Sequence, residues 1–166
     1  MLDKEILTDF QTETATLLAE LSKVVEQLEE ASDTFPAAQL AEFSQKIDRV
    51  MGAAQTMSSL EAGHAGLERI GAIAQICKGL GYKALECKAV TLVPLFAAFW
   101  ADTLDVLAEL VETLGDDAAN KAKAAAFASV LQNRLTWLSG KVQAGSGGVE
   151  LQSQLEIDKI LAQLGK

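Results

Sequence analysis

Apolar residues recur along the N-terminal segment at intervals of three, four and seven positions. The members of this stripe are Ile6, Phe10, Leu17, Leu21, Val24 and Leu28. Such spacing predicts an amphipathic helix with most of its charged residues outside the stripe. Asp3 is a suitable N-cap. The helix is expected to end before Pro36, because proline disfavours helical geometry in the residue that precedes it.

The same periodicity predicts four more helices. The second runs from Pro36 to Ser58, the third from His64 to Gly79 and Gly81, the fourth from Thr91 to Gly115, and the fifth starts after Asp116 and Asp117. Glycine ends helices by adopting the left-handed conformation, which places the end of the third helix. No segment alternates with a period of two, so no sheet is expected. Trp100 and Trp137 are expected to pack in the core or between helices. The predicted fold is all-α, an antiparallel up-and-down bundle of five helices over residues 1–143.

The C-terminal part of the chain differs in kind from the bundle. Residues 144–149 read AGSGGV, a composition typical of a flexible linker. Residues 150–166 form a short amphipathic segment, and an isolated helix of that length is marginal in water. We therefore expect this tail either to dock on the bundle or to stay free for a partner.

Composition and charge exclude several function classes. The chain has 166 residues, of which 49% are hydrophobic, enough for one domain with a core. Its net charge of −9 disfavours nucleic acid and anionic membranes as partners. One histidine and two cysteines, Cys77 and Cys87, match no metal or redox motif, so no metal site and no cofactor are expected.

Localisation follows from the apolar and N-terminal segments. The most apolar run, residues 89–101, is shorter than the roughly 20 residues of a membrane span and contains Pro94. The N-terminus is acidic and polar, unlike a signal peptide. Two free thiols fit a reducing compartment. A soluble, cytoplasmic protein is expected.

The first two helices resemble those of the histidine phosphotransfer (HPt) domain of chemotaxis histidine kinases. The matching positions are Phe10, Glu13, Leu17 and Leu18 in the first helix and Gly52, Ala54 and Thr56 in the segment IDRVMGAAQTM. The predicted number of helices also fits. The resemblance implies an HPt-like bundle with a surface on the second helix for docking the receiver domain of a response regulator.

The chain departs from this family at the residues that handle phosphate. Asp48 stands at the position of the phosphorylated histidine, and Met51 stands at the position of the lysine. A carboxylate lacks the imidazole nitrogen that accepts phosphate, so the resemblance implies docking without histidine phosphotransfer. The expected docking face follows from helical spacing of three and four residues. It consists of Ser44, Gln45, Asp48, Gly52 and Gln55.

The tail is similar to the receiver-binding peptides of the CheZ phosphatase and of the flagellar switch protein. The positions that match are Gln154, Glu156, Ile157, Asp158, Ile160, Leu161 and Leu164. The resemblance implies that the tail binds a phosphorylated CheY-like receiver. Any Mg²⁺ would then belong to the receiver alone.

Three readings of function remain open at this point. The leading one is a signalling protein that binds a phosphorylated receiver through the pseudo-HPt face and the tail. The first alternative is a CheZ-like phosphatase, with Gln45 and Asp48 as candidate catalytic residues, since such enzymes insert an acid and an amide into the receiver. Glu150 with Gln154, and Asp116 with Asn120, have the acid-to-amide spacing of CheZ, although capping explains the second pair more simply. The second alternative is a structural dimerisation module, because a homodimer is compatible with the pattern.

Overall fold

The computed structural model, which describes residues 3–30, 33–146 and 154–165, confirms the all-α fold. Those residues form six α-helices and no strand. The helices are α1 (Lys4–Glu29), α2 (Ala37–Leu60), α3 (Ala65–Cys87), α4 (Val93–Glu112), α5 (Asp117–Ser146) and α6 (Gln154–Leu164), with a 3₁₀ turn at Val90–Leu92.

The first four helices form a closed ring around the core. α1 packs against α2 and α4, and α3 also packs against α2 and α4. Trp100 of α4 is fully buried at the centre of this ring, as expected for a core aromatic residue. Its ring stacks on Phe43 of α2 with the centroids 4.0 Å apart and lies 5.6 Å from the ring of Phe96. These contacts join α2 to α4 across the bundle.

The two C-terminal helices are added to one side of the ring. α5 packs against α3 and α4, and α6 packs against α3 and α5. α3 therefore contacts four helices, and its buried residues point in nearly every direction. A helix with apolar residues on most of its sides is stable only when those sides are enclosed. α6 thus covers a further side of α3, while Glu68, Gln75 and Tyr82 stay exposed.

The predicted end of α3 at Gly79 and Gly81 is wrong. The helix continues to Cys87 and ends at Lys88, which adopts the left-handed conformation with φ 52°. Gly81 instead lies in the interface with α2, where an added Cβ would stand 2.6 Å from the Ser44 hydroxyl oxygen. The glycine therefore permits close helix packing rather than helix termination.

Polar side chains cap the N-termini of α1 and α3. The Asp3 carboxylate accepts a hydrogen bond from the Glu5 amide at 3.0 Å, which confirms the predicted cap of α1. His64 Nδ1 accepts from the amide of Leu67 at 3.3 Å. Each cap satisfies an amide that would otherwise have no intrahelical partner. His64 thus begins α3, close to the predicted start.

α4 includes the most apolar stretch of the chain. Among the described residues, Val90–Glu112 is the one segment that is long and apolar enough to cross a membrane. Half of its most apolar 18-residue stretch is buried in the bundle. A core helix of a soluble bundle has these same properties. The burial fits a core helix, since Trp100 and Leu107 are both fully enclosed.

Two sequence predictions for α5 are wrong. The helix extends to Ser146, so residues 144–146 of the expected linker are helical, while 147–149 lie outside the described residues. Trp137, expected in the core or between helices, is 54% exposed. It occupies the outer side of α5, next to a groove that this helix forms with α4.

Candidate functional site on the second and third helices

Asp48 lies on the outer side of α2. Ile47, the preceding residue, is fully buried, as are Phe43 and Val50. A rotation of 100° per residue carries Asp48 away from this buried stripe, and its side chain is 51% exposed. Asp48 is therefore exposed, as its place on the expected docking face required.

Lys78 of α3 holds the Asp48 carboxylate. Its ammonium nitrogen donates to Asp48 Oδ1 at 2.6 Å, and the same nitrogen lies 5.8 Å from the centroid of the Tyr82 ring. The hydrogen bond to Asp48 is the main cause that raises the pKa of Lys78, because it favours the charged ammonium. A cation thus stands beside residue 48, although it comes from α3 and not from the position of Met51.

Ser44 does not belong to the exposed face, contrary to the prediction. Its side chain is buried at 7% exposure, and its hydroxyl lies against Gly81 of α3 with no hydrogen-bond partner. The close approach of α3 at this glycine encloses Ser44. Gln45, the next residue, is exposed on the outer side of α2.

Gly52 lies one turn after Asp48, and its surroundings are open. An added Cβ would meet no atom of the described residues within 4 Å, so close packing between the described helices does not account for this glycine. Glycine in a helix interior costs about 1 kcal/mol relative to alanine. The open space leaves the backbone of α2 accessible to a partner at this point.

Gln55 extends the same side of α2 towards α6. It is exposed and lines a cleft of 370 Å³ between α2, α3 and α6. Ser58 and Gln75 line this cleft together with Gln163 of α6. We call the set Gln45, Asp48, Gly52, Gln55, Lys78 and Tyr82 the Asp48 face; its members are exposed except Gly52 and Lys78, which are partly exposed.

The tail helix α6 is docked on the bundle. Ile160 and Leu164 are buried, and Leu161 is partly buried, whereas Asp158 is exposed. The side chains of Gln154, Glu156 and Ile157 lie outside the described part of the structure, although their backbone belongs to α6. Of the two predicted states of the tail, the described residues adopt the docked one. Ile160, Leu161 and Leu164, which are matched to receiver-binding peptides, therefore contact the chain's own helices.

Of the other two acid–amide pairs, Asp116 with Asn120 has a structural role, and Glu150 with Gln154 has side chains outside the described part of the structure. Asp116 accepts from the Ala119 amide at 3.1 Å and caps the start of α5. Asn120 is fully buried and accepts from Arg69 at 2.9 Å. Glu150 lies outside the described residues. Gln45 and Asp48 are therefore the candidate pair that the structure places on an exposed helix face.

No group of three or more His, Cys, Asp or Glu side chains suited to a metal occurs among the described residues. Cys77 is buried and Cys87 is partly buried, and the two are not joined in a disulfide. Comparisons of the chain with family models, with curated proteins and with solved structures find no match.

Proposed function

We propose that the protein is a cytoplasmic adaptor of two-component or chemotaxis signalling that binds a phosphorylated, CheY-like receiver domain through the Asp48 face. The observation that carries this proposal is the open backbone at Gly52 beside an exposed carboxylate. A helix-interior glycine that packs against nothing costs stability. Glycine at position 52 gives a partner access to the backbone of α2, which would offset this cost.

The chemistry of residue 48 favours docking over phosphotransfer. The carboxylate lacks the imidazole nitrogen that carries phosphate in HPt domains, and one of its oxygens accepts a hydrogen bond from Lys78. The Lys78 ammonium and the nearby amide of Gln45 supply hydrogen-bond donors on the same side of the bundle. These donors suit a partner surface that presents carboxylates or a phosphoryl group.

The tail contributes a second contact in this proposal, after it leaves the bundle. Ile160 and Leu164 are buried in the docked state, so a receiver reaches them only when α6 separates from α3 and α5. A tethered second contact of this kind raises the effective concentration of the first to the millimolar range, on the order of magnitude expected for short linkers.

The test is a titration of the full-length chain against a phosphorylated and an unphosphorylated chemotaxis-type receiver. We expect tighter binding to the phosphorylated form. Gly52→Gln places a side chain on the Asp48 face and should weaken binding by about tenfold or more. Ala15→Gln is the control for added bulk, because Ala15 is an exposed helical position of α1 that lines a groove with α4, away from the Asp48 face. No binding to either receiver form, or equal losses in both variants, would contradict the proposal.

A receiver phosphatase is the second candidate, favoured by the exposure of Gln45 and Asp48 one turn apart on α2. An amide in this position would orient the attacking water, and the Mg²⁺ would be the receiver's own. The assay is receiver dephosphorylation with and without the protein. An acceleration that is lost in Gln45→Ala identifies a phosphatase, whereas an unchanged rate leaves the adaptor.

A further inference from the structure

The groove between α4 and α5 is an apolar surface that the proposed function does not use. Its volume is 310 Å³, and it is lined by Leu95, Phe99, Trp137 and Leu138. Trp137 is more than half exposed, although an aromatic side chain of this size gains most when it is covered. A large exposed aromatic residue beside an apolar groove is typical of an interaction surface.

The two helices that border the groove carry opposite charges. α4 contains four acidic residues and no basic one, whereas α5 contains four basic residues and one acidic one. Two ion pairs join them, from Lys123 to Glu109 at 3.1 Å and from Arg134 to Asp102 at 3.3 Å. The surface is therefore divided lengthwise into an acidic half and a basic half.

We propose that this surface binds a second copy of the chain. A two-fold axis parallel to the helices places α4 of each copy opposite α5 of the other. This rotation leaves the position of every residue along the helix axis unchanged. Glu109 then faces the partner's Lys123, and Asp102 faces the partner's Arg134. An axis perpendicular to the helices would place α4 against α4 and join like charges, which is unfavourable. The charge pattern thus favours a second copy of the chain as the partner and determines how the two copies are oriented.

The size and shape of the surface suit a dimer. α4 has 20 residues. At 1.5 Å per residue and a helix spacing of about 10 Å, the two-helix face measures on the order of 600 Å². Stable interfaces bury about 800 Å² per partner, which this face approaches before side chains are counted. The outer side of α5 has small exposed residues at Ala126, Ser129 and Gly140, which allow a facing helix to approach closely.

The experiment measures the mass of the full-length chain by light scattering and sedimentation at increasing concentration. We expect a species of twice 17.6 kDa. Ala126→Glu, at an exposed position of α5, adds bulk and a negative charge opposite the partner's acidic α4 and should weaken association by about tenfold or more. Ala15→Glu, at an exposed position of α1, is the matched control and should leave association unchanged. Circular dichroism confirms that both variants fold.

Two further readouts separate this dimer from other forms of association. Iodide should quench Trp137 in the monomer and not in the dimer, while the buried Trp100 is insensitive in both. Asp102→Arg should weaken the dimer, and adding Arg134→Asp should restore it. A monomer at all concentrations, a dimer insensitive to Ala126→Glu, or a double variant that fails to recover would each overturn the proposal.

Discussion

Replacement of Asn120 by alanine is expected to be among the most damaging single changes in this bundle. Arg69 of α3 is buried at 1% exposure, and its Nη1 donates to Asn120 Oδ1 and to Asp117 Oδ1, both at 2.9 Å. The Asn120 amide nitrogen in turn donates to the Leu110 carbonyl at 2.7 Å. Asn120 therefore joins α3, α4 and α5 through one side chain.

The magnitude follows from the groups that Asn120→Ala leaves without a partner. Loss of a hydrogen bond to a buried charged group costs about 1.5–3 kcal/mol, and a buried carbonyl without its donor costs about 1 kcal/mol or more. We expect a total loss of about 3–4 kcal/mol, a large part of the 5–15 kcal/mol typical of a domain. Arg69→Met removes the buried charge itself, so it should cost less, about 1–2 kcal/mol.

The assay is urea unfolding followed by circular dichroism, with the free energy of unfolding taken from the linear transition. The double variant Arg69→Met with Asn120→Leu should lose less than the sum of the two single changes, because neither Arg69 nor Asn120 is then left buried without the other, and only the Leu110 carbonyl still lacks its Asn120 donor. A loss below about 1 kcal/mol for Asn120→Ala would refute the reasoning, as would a double variant that is strictly additive.

Three other changes test separate parts of the structure. Gly52→Ala should raise the free energy of unfolding, measured by urea unfolding, by about 1 kcal/mol, because the added methyl meets no described atom and alanine favours the helix. A loss of stability would contradict the open surroundings of Gly52. Leu164→Ala removes a fully buried side chain and should cost up to about 2–5 kcal/mol of α6 docking, seen as faster proteolysis of the tail; an unchanged cleavage rate would mean that α6 does not depend on this contact. Burial raises the pKa of the Cys77 thiol, so a thiol reagent should modify Cys87 alone in the native protein and both cysteines after unfolding; rapid native modification of Cys77 would contradict its burial.

The helices were predictable because each carries a continuous apolar stripe, and the stripe also placed Asp48 outside the core. The end of α3 was not predictable, because Gly79 and Gly81 look like terminators in the sequence. Gly81 is present for the contact with Ser44, a residue of another helix. Local sequence does not distinguish a glycine that ends a helix from one that lets a neighbouring helix approach.

The partner of Asp48 was missed for a related reason. Lys78 is 30 positions away, and only the packing of α3 against α2 brings the two side chains together. The burial of Ser44 comes from the same packing. The Asp48 face therefore excludes Ser44, which the sequence had placed on it, and includes Lys78. Trp137 shows the opposite error, since its hydrophobicity suggested the core while its position on α5 points outward.

The central position of α3 has a consequence for how the chain matures during synthesis. α3 is covered by α2 and α4 early, but α6, which covers a further side of it, follows the other five described helices in chain order. Until α6 leaves the ribosome, the nascent bundle has an uncovered apolar strip, and such strips attract chaperones or other nascent chains. Premature termination after α5 would therefore yield a protein prone to aggregation, even though its four-helix ring is complete.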